Sequence, residues 1–198
     1  MQHALRRARM RPDEEKKKEE GKGPFPPGER MNLYKEFLTK RLDDEKSPSV
    51  QSSYGRFLPS LCYLDQGWVK SMIDNGKLFP KDSDKQKLWE ANWEGYIGYH
   101  GLYSQFYDWL KEDYIKAVDN LSIKTGKKEK FERYDDRLAE HLMIAYWREL
   151  EDVSGDRIKE VVNNAILDKF FNNAPVGVRR HAIWFLATAI EEIKPKID

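Results

Sequence analysis

Hydrophobic residues along most of this chain recur every three or four positions, the spacing that places side chains on one face of an α-helix. The clearest example is FERYDDRLAEHLMIAYWREL (131–150), in which one stripe contains Phe131, Tyr134, Leu138, Leu142, Ala145 and Tyr146. No segment shows the alternation of apolar and polar residues, rich in β-branched types, that marks a strand. The pattern therefore predicts an all-α fold, with helices of roughly one to five turns joined by short loops.

Helix-breaking residues divide the pattern near the N-terminus into two predicted helices. Leu33, Phe37 and Leu38 share one face of the first helix, which ends where Pro48 interrupts the pattern. The second helix has four apolar residues at helical spacing, namely Tyr54, Phe57, Leu58 and Leu61. An apolar face of this kind is normally the one that packs into the core.

Capping residues mark the start of the helices that follow. Asp65 is a predicted N-cap, because its carboxylate can accept a hydrogen bond from a backbone N–H of the first helical turn. The helix that it starts is expected to end near Asn75-Gly76. The loop LFPKDSD then supplies the next cap, which is either Asp82 or Ser83.

The C-terminal part of the chain contains two more predicted helices. Ser154 opens the first, which runs through Phe170 and is closed by NNAP (172–175). The second runs from about Val176 to Ile193. The helices form plausible antiparallel pairs, as in superhelical repeat arrays, but no fixed period recurs along the chain. An irregular helical bundle and a degenerate helical-repeat array both fit this pattern.

Composition sets the N-terminus apart from the rest of the chain. Residues 1–30 combine a block of mixed charge, PDEEKKKEEGKG, with the proline-rich PFPPGER. Neither stretch offers enough apolar surface to offset the entropy that is lost when a chain becomes ordered. We therefore predict a disordered charged tail or linker over residues 1–30 and a single α-helical domain over residues 31–198.

The segment LWEANWEGYIGYHGLYSQFYDWL (88–110) holds three of the six tryptophans. Trp89, Trp93 and Tyr96 lie at helical spacing, as residues of a core-facing stripe do. A platform that stacks nucleic-acid bases would interleave its rings with lysine or arginine, and this segment contains neither. The pattern favours packing in the core, with an exposed ligand surface as the alternative.

Charge and composition argue against several classes of function. The 198 residues carry 35 basic and 34 acidic side chains, so the basic excess of a phosphate-binding protein is missing. No apolar run approaches the length of a transmembrane helix, and the N-terminus lacks the apolar core of a signal peptide. Cys62 is the single cysteine, so no internal disulfide can form. These features predict a cytoplasmic protein that does not enter a membrane.

Residues with catalytic or metal-binding chemistry are few and scattered. None of the four histidines belongs to an HExxH motif or a Cys/His cluster. Cys62 lies in the apolar segment SLCYL, where a buried and inert thiol is the usual case. The spacing of Gly95, Gly98 and Gly101 invites comparison with a phosphate-binding loop. Such a loop follows a strand and ends in Lys-Ser/Thr, and neither is present, so we expect a close helix approach or a helix break there. The sequence therefore predicts that this protein is not an enzyme and that it binds neither a metal nor a cofactor.

The segment NNAPVGVRRHAIWFLATAI (172–190) is the most suggestive of binding. It places Arg179, Arg180 and His181 in the first turns of a helix, where cations oppose the helix dipole at a cost of about 0.3–1 kcal/mol. An acidic side chain on a neighbouring helix would compensate, and the candidates are Glu149, Asp152 and Asp156. The alternative is that these three cationic residues contact a protein partner or a phosphate.

Two stretches resemble the C-terminal helical region of very large prokaryotic proteins, among them STAND-type signal-transducing NTPases, some implicated in antiviral defence. They are YGRFLPSLCYLDQGWVKSMIDNGKLFPKDSDKQKLWEANWEGYIGY (54–99) and NNAPVGVRRHAIWFLA (172–187). The resemblance implies an α-helical sensor or scaffold region without catalytic residues. This chain has no Walker motif and no effector domain, so we expect the end of a larger protein, a truncated gene or a stand-alone relative.

The sequence thus predicts a non-enzymatic α-helical interaction or scaffold module, whose partner is another protein or the neighbouring domains of a larger one. The residues expected to contact that partner are Arg179, Arg180, His181, Trp89 and Trp93. The alternative function is nucleic-acid binding by Arg179 and Arg180 together with an arginine-rich N-terminus. The N-terminal arginines are Arg6, Arg7, Arg9 and Arg11.

Overall fold

A computed structural model describes residues 27–121, 132–151 and 165–193. Every regular element in these ranges is a helix, and none of their residues lies in a strand, which confirms the all-α prediction. The chain divides into two compact units, with the boundary between Tyr96 and Ile97. The single domain predicted over residues 31–198 stays a prediction. The predicted tail lies outside the described residues as far as residue 26.

The first unit contains five α-helices and a short 3₁₀ helix among its described residues. They are α1 (Pro27–Asp44), α2 (Pro48–Arg56), α3 (Leu58–Leu64), α4 (Gln66–Asp74), the 3₁₀ helix Ser83–Lys85 and α5 (Gln86–Ile97), of which the last residue alone belongs to the second unit. The described helices that follow belong to the second unit. They are α6 (Ser104–Trp109), α7 (Lys111–Leu121), α8 (Glu132–Glu151), α9 (Ala165–Asn173) and α10 (Val176–Ile193).

Asp65 caps α4, as predicted. Its Oδ1 accepts a hydrogen bond from the backbone N–H of Trp68 at 2.9 Å, and its Oδ2 accepts one from Lys35 Nζ of α1 at 2.8 Å. The hydrogen bond from Lys35 and then that from Trp68 lower the pKa of the Asp65 carboxyl. After α4 the chain turns at Gly76, whose φ of 65° lies in the left-handed region that glycine adopts without strain.

The predicted second helix is two helices in the structure. α2 and α3 are separated by Phe57, which lies outside both. Pro59 explains the break, because it has no N–H to donate to the carbonyl of Gly55 and its ring crowds that turn. The predicted apolar stripe is buried despite the break, apart from the half-buried Phe57; its buried members are Tyr54, Leu58 and Leu61.

α1 differs from its prediction in both its start and its buried face. It begins at Pro27, before the domain start predicted at residue 31, and a proline in the first turn has its φ already set for a helix. Leu38 is buried, but Leu33 and Phe37 are 45% and 65% exposed. The prediction of a shared buried face was wrong. Leu38 is rotated by about 100° from Phe37, and it is buried together with Leu42, one helical turn later.

Two glycines bring α2 and α5 into close contact. A Cβ on Gly55 would overlap the carbonyl oxygen of Asn92, and a Cβ on Gly95 would overlap that of Ser52. The predicted close helix approach at Gly95 is therefore confirmed. Asn92 is fully buried, and its Nδ2 donates to the carbonyl oxygen of Leu78. α5 thus also fixes the loop that precedes it.

A buried histidine links the elements of the second unit. His141 of α8 is 1% exposed; its Nε2 lies 2.8 Å from the carbonyl oxygen of His100, and its Nδ1 lies 2.7 Å from the hydroxyl of Tyr114. A carbonyl can only accept, so Nε2 carries the proton and Nδ1 accepts from the tyrosine hydroxyl. Burial lowers the pKa of His141 to about 4, so the ring is neutral at physiological pH.

The contact between α8 and α10 is the most extensive between any two described helices. Both helices have buried apolar side chains, namely Leu138, Ala139, Leu142, Met143, Ala145, Val178 and Ala182. α9 packs on α7 and ends at Asn173, and α10 runs from Val176 to Ile193, as predicted. The helix start predicted at Ser154 lies outside the described residues.

Candidate functional site

α10 exposes large apolar side chains of the kind that a core helix normally covers. Val176, Ile183 and Trp184 are 69%, 55% and 61% exposed. With the exposed Arg180 and Ala187 they occupy positions i, i+4, i+7, i+8 and i+11, which form one continuous stripe along a helix. We call these five residues the outer face of α10.

The outer face exists because α10 is apolar on more than one side. The side that packs within the second unit includes Val178 and Ala182, which are 4% and 0% exposed. Ile183 and Trp184 are rotated away from that side. A neighbouring helix that buries Val178 and Ala182 therefore leaves Ile183 and Trp184 facing outward. A helix that is hydrophobic all round is normally buried all round. The exposed side is therefore the unusual feature.

The outer face lines a shallow, wide-open groove of about 690 Å³ in the second unit. The end of α9 contributes Phe171 to the lining, and nearly all of the lining surface is apolar. A contiguous exposed apolar surface on a globular unit commonly marks a site of interaction. The residues around the groove are Phe171, Val176, Arg179, Arg180, Ile183, Trp184 and Ala187.

Arg179 lies beside the groove, and its guanidinium already has a partner. Its Nη1 donates to the carbonyl oxygen of Phe171 at 3.1 Å. That carbonyl has no partner within α9, because the residue four positions later is Pro175, which has no N–H. A cation is favourable at a helix C-terminus, so α9 offsets the dipole cost expected at the start of α10. The predicted acidic partners lie outside the described side chains; they are Glu149, Asp152 and Asp156.

Arg180 is exposed on the outer face and makes no hydrogen bond or ion pair in the described part of the chain. A guanidinium has five N–H donors in a planar fork and no acceptor, so a carboxylate or a phosphate is its natural partner. Arg180 lies one helical turn from Val176 on one side and from Trp184 on the other. The groove thus combines an apolar lining with a cation that no described residue pairs.

His181 is held in place by α8. Its Nε2 lies 3.1 Å from Glu140 Oε1, and Glu140 Oε2 accepts a hydrogen bond from Arg137 Nη1 at 2.6 Å. The imidazole is half-buried, and its centroid lies 5.7 Å from that of the Trp184 indole. His181 therefore supports the exposed indole from the side of α8, and its ring nitrogen is used within the chain.

The two predicted binding tryptophans of α5 belong to the core of the first unit. Trp89 and Trp93 are 2% and 6% exposed, and their rings stack with centroids 5.8 Å apart and planes 4° from parallel. This burial confirms the core interpretation of the aromatic segment. A ligand surface would need exposed ring faces, which these two indoles lack. The other three predicted binding residues lie together on α10; they are Arg179, Arg180 and His181.

Ile183 and Trp184 are the candidates that the sequence pattern did not single out. In the sequence they continue the apolar run of α10 and resemble core residues. A signal was nevertheless present, because Ala182 and Trp184 are two positions apart and therefore lie on opposite sides of a helix. A helix that is apolar at both needs two neighbours to cover it, and the pattern alone does not say whether both are present.

The other groups with potential chemistry lie in unreactive surroundings. Cys62 is half-buried, and burial raises the pKa of its thiol, which disfavours the nucleophilic thiolate. Both ring nitrogens of His141 are used in buried hydrogen bonds. Among the described residues, no three His, Cys, Asp or Glu side chains converge where a metal ion would bind. No helix in the same ranges is long and apolar enough to cross a membrane.

Comparison with known proteins yields no relative: no protein-family model, no curated protein and no solved structure matches this chain. The outer face of α10 and its groove are therefore the features from which we infer a function.

Proposed function

We propose that this chain is a non-enzymatic α-helical interaction module that binds a protein partner through the outer face of α10. The observation that carries the proposal is the open groove of about 690 Å³, which is lined almost entirely by apolar surface. Covering an exposed indole and its aliphatic neighbours is favourable at about 25 cal/mol per Å² of apolar area removed from water. Exposed tryptophan and arginine on one surface are also the residue types most enriched in binding hot spots.

Two features favour a protein partner over nucleic acid. A groove that follows a phosphate backbone is lined by several free cations, with aromatic rings between them. In this groove Arg179 already donates to the carbonyl of Phe171, so Arg180 is the one lining cation without a partner among the described residues. A lining of this kind matches the apolar centre and polar rim of a protein–protein interface.

The setting of this module is also part of the proposal. The resemblance to the helical region of large STAND-type NTPases supports a role as a sensor or scaffold part of a larger signalling or defence assembly. A cytoplasmic location is supported by the single cysteine, since no internal disulfide contributes to the fold. In this setting the partner is another protein or a neighbouring domain of a larger one.

Site-specific photo-crosslinking in cells of the source organism tests the proposed surface. We expect a photoreactive benzoylphenylalanine in place of Ile183 to give a discrete protein adduct that survives nuclease treatment. The matched control places the same residue at Tyr63, which is 79% exposed in the first unit and lies away from α10 in the sequence. The control should give no such adduct.

The same experiment identifies the alternatives. Adducts of equal pattern from positions 183 and 63 would show that the outer face has no special role. Adducts that disappear with nuclease, together with binding that weakens steeply as salt is raised, would replace the protein partner by nucleic acid.

A further inference from the structure

We propose that the segment bound in this groove is an amphipathic helix of the partner protein that carries a carboxylate beside its apolar residues. This inference rests on the proposed function and adds the chemistry of the partner to it. Three properties of the outer face lead to it: its length, a cation without a partner among the described residues, and the contact of its indole with His181.

The length of the outer face suits a short helix. From Val176 to Ala187 the stripe advances eleven residues, or about 16 Å along the axis of α10. An amphipathic helix of about three turns, with apolar residues at i, i+3 or i+4, and i+7, covers such a distance. The described part of this chain contains no strand and so offers no sheet edge to which an extended peptide could add.

The charge of the outer face selects an acidic segment. Arg180 lies within the stripe, one turn from Trp184, with its guanidinium unpaired among the described residues. Covering the surrounding apolar residues removes water from this guanidinium, so a partner that left it unpaired would lose the solvation without compensation. A carboxylate on the bound helix supplies a charge-assisted and bidentate hydrogen bond instead. A lysine at that position would be repelled.

The indole of Trp184 serves as the anchor, because it lies beside the His181 imidazole, which α8 holds through Glu140. The contact between Glu140 Oε1 and His181 Nε2 places an imidazole beside the ring, and Arg137 Nη1 donates to Glu140 Oε2. A side chain that is ordered before binding loses less conformational entropy when the partner arrives. Trp184 therefore provides affinity, and Arg180 provides the preference for acidic segments.

A display library of helical peptides tests both assignments. Sixteen-residue peptides on an alanine framework carry Leu, Phe or Met at i, i+3, i+4 and i+7, and Glu, Gln or Lys at the flanking positions. The immobilised proteins are the full chain and its Arg180→Glu, Trp184→Ala and Lys87→Glu variants. Lys87 is exposed in the first unit and makes no ion pair with the described residues, so its reversal matches the charge change away from α10.

We expect the wild type and Lys87→Glu to enrich peptides with Glu over those with Lys by roughly tenfold. The Arg180 cation attracts the first kind of peptide and repels the second. Arg180→Glu should reverse the preference, and Trp184→Ala should abolish enrichment with either charge. Circular dichroism of each variant confirms that it is folded. Enrichment without charge preference, a preference unchanged by Arg180→Glu, or no enrichment at all overturns the acidic helix.

Sedimentation of the free proteins tests a second copy as the occupant. A dimer that Trp184→Ala dissociates would overturn the acidic helix, because the outer face would then be covered by another chain of the same kind. If the peptides fail while crosslinking at position 183 still captures a protein, the acidic helix is wrong and the interaction module stands. If the crosslinking fails as well, both are wrong.

Discussion

α5 and α10 carry similar sequence signals but differ in exposure. Each helix includes tryptophan in a stripe of apolar residues at helical spacing. In α5 the indole of Trp89 is 2% exposed and stacks on that of Trp93, whereas in α10 the indole of Trp184 is 61% exposed. The difference lies in the neighbours: α2 approaches α5 closely at Gly95, and no described helix covers the outer face of α10.

The comparison separates two questions that a hydrophobic stripe leaves together. A stripe predicts that the burial of one face of the helix is energetically favourable. It does not predict whether the same chain or another molecule covers that face. The stripe of α5 is buried within the first unit, and we propose that the outer face of α10 is buried when a partner binds.

The largest expected effect is that of Trp89→Ala. Removing a buried indole loses its transfer free energy, leaves a cavity and removes the stacking on Trp93, so we expect the free energy of unfolding to fall by about 3–5 kcal/mol. Urea denaturation followed by circular dichroism measures the change. A loss below about 1 kcal/mol would mean that the indole is not packed in a core, and the contrast with α10 would disappear.

A second effect, of similar size, depends on pH and concerns the buried His141. Its pKa in the folded chain is about 4, below the ordinary value of 6.5, so between these values the unfolded chain binds a proton that the folded chain does not. The resulting stabilisation is complete above pH 6.5 and is lost as the pH falls towards 4, amounting to about 3 kcal/mol.

Urea midpoints at pH 7 and pH 4.5 test this expectation in the wild type and in His141→Gln. The variant is less stable at pH 7 and should lose less of its stability on acidification, because it lacks the titrating ring. Equal losses in the two proteins would assign the acid sensitivity to other groups.

A smaller effect tests the close contact that distinguishes α5. In Gly95→Ala the new methyl group meets the carbonyl of Ser52, so α2 has to move, and we expect a loss of about 1–3 kcal/mol. Gly177→Ala on α10 is the matched control, because a Cβ there has no neighbour within 4 Å. The control should be neutral or gain up to about 1 kcal/mol from the lower backbone entropy of the unfolded chain. Equal effects at both glycines would contradict the close approach.

The sequence predicted those features of the fold that local chemistry determines. Helical spacing gave the all-α class, and the Asp65 cap and the ends of α10 followed from single residues. The errors came from competing local signals. Pro59 divides a continuous stripe into α2 and α3. On α1 the buried face includes Leu38, whereas Phe37, which is rotated from it by about 100°, is exposed.

The candidate site was predictable only in part, because it depends on what lies beside α10. The cationic residues drew attention to this segment, but their pairing did not follow from the sequence. Arg179 donates to a carbonyl that Pro175 leaves without a donor, and His181 pairs with Glu140 of α8. The exposure of Trp184 follows from the arrangement of helices, which the hydrophobic pattern does not specify.

The smallest expected effect on stability is that of Trp184→Ala, and it decides whether the comparison holds. The indole is mostly in contact with solvent, so its loss removes chiefly the contact with His181, while alanine gains a few tenths of a kcal/mol in helix propensity. We expect the free energy of unfolding to change by no more than about 0.5 kcal/mol, as for other surface substitutions. The urea midpoint should therefore match that of the wild type under conditions in which Trp89→Ala is strongly destabilised. A loss above about 2 kcal/mol would show that the folded chain already covers this indole in solution, because only a buried ring contributes that much. The outer face of α10 would then be part of the core, as the stripe of α5 is, and no partner would be needed to bury it.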